Sequence, residues 1–333
     1  MPTARFSADG RHIAIGTADG AVHVFEAETL LRGAESPLRR YGDHSDAVND
    51  FDFHPTSPVL VSGSEDATLQ FYDVANSHAG PTRTCTDTHP IRSAAFHPKG
   101  DHLLVGTTHA ALHLYDTATF RCFLSADPSH HHRAGITDAR WAADGSLFAS
   151  CAAAEVKLWD GASVACVATL SRPHGGTPVG SVAFSRSGHH LLTSGADSAV
   201  KLWDVRAVRT SASSAEGGRV VPIPVRTYEG GGCSSARRVA CFSHDEALVL
   251  GADEGSCAAL VWATNFAGAN AASQAAANGG GGAAGGGAGA AGGSEVISKC
   301  MGHMRPVRCV AHAPSAPAFV TCAEDGAVRV WAQ

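Results

Sequence analysis

Seven times this chain closes a run of alternating apolar residues with an aromatic side chain: Phe25, Tyr72, Tyr115, Trp159, Trp203, Trp262 and Trp331. The intervals are 47, 43, 44, 44, 59 and 69 residues. The clearest copies end Val156-Lys157-Leu158-Trp159-Asp160, Val200-Lys201-Leu202-Trp203-Asp204 and Val328-Arg329-Val330-Trp331. A period near 40–45 residues means one supersecondary unit copied along the chain. Inside each copy, short period-two stretches are punctuated by His-Pro, Ser-Gly and Asp-Gly turns, the pattern of half-buried antiparallel strands. One such unit cannot bury both of its faces. The copies must therefore stack, and seven arranged about an axis leave only short, protected edges.

The unit resembles the WD40 repeat, which implies an all-β, seven-bladed propeller spanning residues 1–333. In that family a Trp indole, a hydroxyl, an imidazole and a turn carboxylate bond in series. The resemblance implies such networks for His174, Thr193, Asp197 and Trp203, and for His303, Thr321, Asp325 and Trp331. The second unit keeps His44, Ser62 and Asp66 but has Tyr72 in place of Trp. The first, third, fourth and sixth units read as degraded. His109 stands where Asp is expected and Ala153 lies in a shortened turn, so those blades are expected to lean on packing. A His-Asp-hydroxyl trio also suggests a catalytic triad. A single active site does not recur at matched spacing, so the trios are expected to be structural, with buried groups that must all be satisfied.

Net charge of −6 with 17% charged residues argues against a broad nucleic-acid footprint, which needs a basic face. No apolar run reaches the ~18 residues of a membrane span, and the start lacks the apolar core of a signal peptide. The ten cysteines contain no Cys-x-x-Cys, and Cys85, Cys151, Cys241, Cys309 and Cys322 lie in strand-like runs. Reduced thiols in a cytosolic or nuclear protein are expected. His130-His131-His132 reads as a solvated loop rather than a metal site, because consecutive side chains diverge and no further ligand cluster completes it. No cofactor is expected.

Two stretches depart from the repeat. Residues 209–236 read as a loop insertion and 267–294, almost wholly Gly and Ala, as a disordered tether without the Lys-Ser or Lys-Thr of a phosphate loop. Each doubling of loop length costs only ~0.6 kcal/mol, which a ring tolerates. The chain stops two residues after Trp331 and starts almost directly on its first innermost strand. The last blade is therefore expected to lack its outermost strand, and native sequence is expected upstream of Met1.

A narrower resemblance runs from Tyr41 to Phe123. It includes Tyr41-Gly42-Asp43-His44-Ser45-Asp46-Ala47-Val48, Ser62-Gly63-Ser64-Glu65-Asp66, Ile91-Arg92-Ser93-Ala94-Ala95-Phe96-His97-Pro98 and Phe120-Arg121-Cys122-Phe123. These phrases are similar to the family of WD-repeat subunits of cleavage stimulation factor. That resemblance implies a nuclear, non-catalytic scaffold supporting messenger-RNA precursor 3′-end cleavage and polyadenylation. Its partner would be the complex's helical-repeat subunit, while a third subunit with an RNA-recognition domain contacts RNA. The family's N-terminal self-association region has no counterpart here, so homodimerisation does not carry over. Contact candidates are Arg92, Asp46, Glu65, Arg237, Arg305 and Glu324, which flank innermost strands and their turns, with Arg the best hot-spot type. The alternative is a WD40 substrate receptor of a ubiquitin ligase or a chromatin-associated adaptor.

Overall fold

The computed structural model describes residues 3–33, 36–76, 80–124, 127–213, 222–230, 239–264 and 295–332. Over these the chain forms seven antiparallel sheets, each laid down from the inside of the ring outward. Blade 1 holds β1 (Thr3–Phe6), β2 (His12–Gly16), β3 (Val22–Glu26) and β4 (Arg39–Tyr41), with helix α1 (Ala27–Leu31) between its last two strands. Blade 2 holds β5 (Val48–Phe53), β6 (Val59–Ser64), β7 (Thr68–Asp73) and β8 (Arg83–Thr86). Blade 3 holds β9 (Ile91–Phe96), β10 (His102–Thr107), β11 (His113–Asp116) and the short β12 (Cys122–Phe123). Blade 4 holds β13 (Ile136–Trp141), β14 (Leu147–Ala152), β15 (Glu155–Asp160) and β16 (Cys166–Ser171). Blade 5 holds β17 (Val179–Phe184), β18 (His190–Gly195), β19 (Val200–Asp204), helix α2 (Val205–Ser213) and β20 (Arg226–Tyr228). Blade 6 holds β21 (Ala240–Phe242), β22 (Leu248–Asp253), β23 (Ala258–Ala263) and β24 (Val296–Cys300). Blade 7 holds β25 (Val307–His312), β26 (Ala318–Ala323) and β27 (Val328–Ala332), three strands among the described residues.

The stretch 209–236 is more than a loop. It contains the end of α2 and all of β20, so the outermost strand of blade 5 lies within it. Its remaining described residues bring exposed Ile223 and Val225 up to that strand. The Gly/Ala stretch 267–294 lies outside the described residues.

Local chemistry explains the repeated Trp-Asp and Tyr-Asp endings. Asp73, Asp116, Asp160 and Asp204 each accept backbone N–H groups two and three residues on, at 2.9 Å from Ala75, 2.6 Å from Thr119, 2.8 Å from Ser163 and 2.8 Å from Arg206. Each carboxylate thus stops a strand and starts the connection that follows it. At the same end of the ring, Gly100 has φ +82°, and any side chain there would run into the His54 ring of the preceding blade.

The apolar core is seven packs, one in each seam between neighbouring blades, rather than one central mass. In the seam of blades 3 and 4, for example, Leu104 and Leu114 meet Ile136, Phe148 and Trp159. In the seam that closes the ring, Ala4, Ile13 and Ile15 meet Cys309, Val320 and Cys322.

Polar links reinforce the seams along the central channel. Among the described residues five innermost strands carry a bulge after their first residue, at Val48/Asp50, Ile91/Ser93, Ile136/Asp138, Val179/Ser181 and Val307/Cys309. A bulge re-aims the next side chain, and in four of the five it turns an acceptor toward the neighbouring blade. Asp50 accepts Ala94 N–H at 3.0 Å, Asp138 accepts Val182 N–H at 3.1 Å, Ser181 accepts Ala240 N–H at 3.3 Å, and Cys309 Sγ accepts Ala4 N–H at 3.4 Å. Arg140 then joins Asp50 at 2.7 Å and Asp138 at 3.0 Å, 90 residues apart in one case. Burial works against the Arg140 charge, yet those two carboxylates hold the guanidinium above its ordinary value.

Candidate functional site

The antiparallel course of each blade places two kinds of segment at one end of the ring. These are the connections entering the innermost strands and the turns between second and third strands. All sequence-predicted network residues except the aromatics come from these segments or the strand ends below them. In blade 5, Trp203 Nε1 donates to Thr193 Oγ1 at 2.9 Å, Thr193 Oγ1 lies 2.8 Å from His174 Nε2, and His174 Nδ1 lies 2.8 Å from Asp197. Blade 7 repeats this with Trp331 to Thr321 at 2.9 Å, Thr321 to His303 at 2.8 Å and His303 to Asp325 at 3.1 Å. In blade 2, His44 reaches Ser62 at 2.7 Å and Asp66 at 2.9 Å, while the Tyr72 hydroxyl donates to Gln70 Oε1. Burial pushes the Tyr72 hydroxyl well above its ordinary value.

This geometry assigns the imidazole tautomer. In blades 5 and 7 the hydroxyl receives the indole N–H, which leaves its own hydrogen for Nε2 and places the ring proton on Nδ1, facing the carboxylate. Burial lowers the His44 value against the opposing pull of Asp66. Burial opposes the Asp66 charge in turn, but Thr68 and His44 hold that carboxyl below the usual range.

Blade 4 overturns two expectations. His132 is not part of a solvated loop, and the blade is not short of its network. His132, 4% exposed, places Nε2 2.6 Å from Ser150 and Nδ1 2.7 Å from Glu155, and Trp159 Nε1 donates to Ser150 at 2.8 Å. Glu155, on the far side of the shortened Ala153 turn, supplies with its longer side chain the carboxylate that Asp supplies elsewhere. The signal was present in the sequence. His132 precedes Ser150 by 18 residues, the separation of His44 from Ser62 and of His303 from Thr321. Lys157 completes the arrangement by donating to the His130 and His131 carbonyls at 2.9 and 2.7 Å.

Blade 3 does not rest on packing alone either. Its polar network is inverted. The carboxylate of Asp87 comes from the entering connection and takes His113 Nδ1 at 2.7 Å and the Tyr115 hydroxyl at 3.2 Å, both from β11. Burial opposes its charge, yet His113 holds the Asp87 carboxyl below its usual value. His109 stays exposed beside His89, ring centroids 5.0 Å apart. In blade 6 the Trp262 indole donates to the Glu229 carbonyl at 3.1 Å in place of a hydroxyl.

The described contact candidates sit on the same end of the ring but are not alike. Arg92 is tied to Glu65 at 2.6 Å across the seam of blades 2 and 3. Asp46 and Arg305 are exposed, and Glu324 receives Arg308 at 2.6 Å. Arg237 lies outside the described residues. Sequence reading passed over Arg308, which occupies in β25 the place Arg92 has in β9. It also pairs with Glu254 in the turn of blade 6, as Arg92 does with Glu65 in blade 2. Among the described residues, no group of three or more His, Cys, Asp or Glu side chains is placed to hold a metal ion.

The family described as WD domain, G-beta repeat matches residues 35–73, 125–160, 164–204 and 294–332. These are blades 2, 4, 5 and 7, the four with an imidazole between hydroxyl and carboxylate. Cleavage stimulation factor subunit 50 of Arabidopsis thaliana is 31% identical over 201 residues, covering 58% of this chain and 47% of the relative. The chain thus spans about half the length of that relative. Histone acetyltransferase type B subunit 2 of Aspergillus oryzae is 36% identical over 66 residues, 19% of this chain and 15% of the relative. Among solved structures, the Cps50 (Swd1) β-propeller domain of Myceliophteria thermophila superimposes with a TM-score of 0.74 at 14% identity, over 99% of this chain and 96% of that one. The chain is a seven-bladed propeller that carries WD40 repeats and is similar to Cleavage stimulation factor subunit 50 of Arabidopsis thaliana.

Proposed function

We propose that this chain is the non-catalytic scaffold of a cleavage stimulation factor complex in the nucleus. In this reading it docks the complex's helical-repeat subunit during 3′-end cleavage and polyadenylation of messenger-RNA precursors. The similarity to Cleavage stimulation factor subunit 50 carries the reading. The hydroxyls beside the imidazoles, on Ser62, Ser150, Thr193 and Thr321, are fully buried and already engaged, which supports a structural rather than a nucleophilic role. The docking surface is assigned to the loop end around Arg92, Glu65, Asp46, Arg305 and Glu324.

Affinity purification from native cells, read by mass spectrometry, tests the assignment. Polyadenylation factors are the expected companions. Cullin subunits would support a ubiquitin-ligase substrate receptor instead. Histone-modifying subunits would support a chromatin adaptor, a reading favoured by the short match to Histone acetyltransferase type B subunit 2. At residue level, Arg92→Glu is expected to weaken capture of the helical-repeat subunit while shifting stability by no more than ~1 kcal/mol, since its pair with Glu65 is half exposed. Undiminished capture would remove Arg92 from the interface.

A further inference from the structure

We propose that the outer rim of blades 1 to 3 binds an extended acidic segment of another protein, one that also carries apolar side chains. The proposal rests on the scaffold reading only in taking a protein as occupant, and it concerns the side of the ring rather than its loop end. The outermost strands β4, β8 and β12 succeed one another around this arc. Their registers set Arg39, Arg83 and Phe123 on one rung, opposite Val24, Phe71 and Leu114 respectively. Arg40 follows on the next rung of the first strand, Leu124 comes directly after β12, and Arg121 leads into it.

None of these arginines has a carboxylate within ion-pair distance among the described residues. Arg5, Arg32, Arg92, Arg140 and Arg308 each hold one. Arg40, Arg83 and Arg121 are exposed and Arg39 is half-buried. Arg40 feels Asp19 only at longer range. Arg39 Nη1 donates to the adjacent Leu38 carbonyl, while its Nε is buried with no partner. The Arg83 guanidinium lies 4.0 Å above the Phe120 ring. Asp87, the carboxylate closest in sequence to β8, is turned inward onto His113 and Tyr115. In a chain of net charge −6, this arc is therefore left positive.

An apolar step adjoins the charge. Phe123 and Leu124 are 47% and 51% exposed, and β12 carries no strand on its outer side among the described residues. Arginine and aromatic anchors beside an open strand edge suit a polypeptide that pairs its backbone with the edge and its carboxylates with the guanidinium groups. Single-stranded RNA is disfavoured, because successive bases need several aromatic faces and the strip exposes Phe123 beside aliphatic Leu124.

Fluorescence anisotropy on the 333-residue chain tests this with a labelled Glu/Asp-rich peptide bearing spaced Phe and Leu residues. The controls are its Gln/Asn analogue and a G/U-rich RNA oligonucleotide. Binding is expected for the acidic peptide, weakening with salt and falling about tenfold in Arg40→Glu/Arg83→Glu and in Leu124→Ser, at unchanged melting temperature. Arg92→Glu is expected to bind the peptide normally, so failure of the loop-end assignment would leave this result intact. Equal affinity of the charge-reversed chain, equal binding of the neutral analogue, or tighter binding of the RNA would overturn the proposal.

Discussion

His132 obtains its role from what surrounds it. A hydroxyl that receives an indole N–H keeps its own hydrogen for the imidazole, and the carboxylate beyond takes the remaining ring proton. The consequence is a pH dependence with a definite sign. Burial lowers the His44 and His132 values below the ordinary imidazole value of about 6.5. As pH falls through that value the unfolded chain takes up protons that the folded chain refuses, so stability drops on acidification. Glu155, held low chiefly by its bond from His132, and Asp66, held low against burial by Thr68 and His44, add loss of the same sign below the ordinary carboxylate range. Chemical denaturation between pH 7 and pH 5 is therefore expected to show falling stability. His132→Gln should cost ~1–3 kcal/mol at pH 7 by leaving Ser150 and Glu155 unmatched, and should flatten the slope. A variant as stable as the parent, with the same slope, would show that the network does not form.

At the scale of the strand, the bulged innermost strands do what a regular strand cannot: they aim a side chain across a seam. Asp138 is one of these. It caps Val182 of the next blade and balances Arg140, which is also held by Asp50 two blades away. Asp138→Ala leaves a buried amide unpaired and removes one of the two carboxylates that hold the part-buried Arg140 guanidinium, and a loss of about 3 kcal/mol is expected by denaturant titration. Ser181→Ala removes one weaker acceptor and should cost ~1 kcal/mol. Equal losses would mean that the charge at Arg140 contributes little. The contrast also marks how far the sequence could be read. The period-two strands, the closing aromatics and the networks of blades 2, 5 and 7 are written in local spacing and residue type. Glu155 and Asp87 were missed because each stands at a position where the repeat has another residue, and the bond is restored by side-chain length in one case and by exchange of donor and acceptor in the other. Arg140 was missed because its partners come together only when the ring closes.

For the molecule as a whole, stability is distributed over seven seams, each resting on its neighbours, so the ring is as secure as its least buried blade. Blade 7 is that blade. Val156 and Leu158 of β15, and Val200 and Leu202 of β19, are fully buried beneath an outermost strand. Their counterparts Val328 and Val330 in β27 are only half-buried, and Trp331 is half-buried where Trp159 and Trp203 are covered. The seam from blade 7 to blade 1 adds a weak acceptor, since Cys309 Sγ stands where blades 2 and 4 place a carboxylate. Fewer buried contacts and a softer hydrogen bond lower the free energy of local opening. Native-state amide hydrogen exchange is expected to show β26, whose amides are paired on both sides, exchanging about tenfold or more faster than the equivalent strands β14 and β18. Blades 4 and 5 should exchange only with global unfolding. Uniform protection around the ring would mean that blade 7 is held as firmly as the rest, and that the seams, not the outer strands, set the local stability.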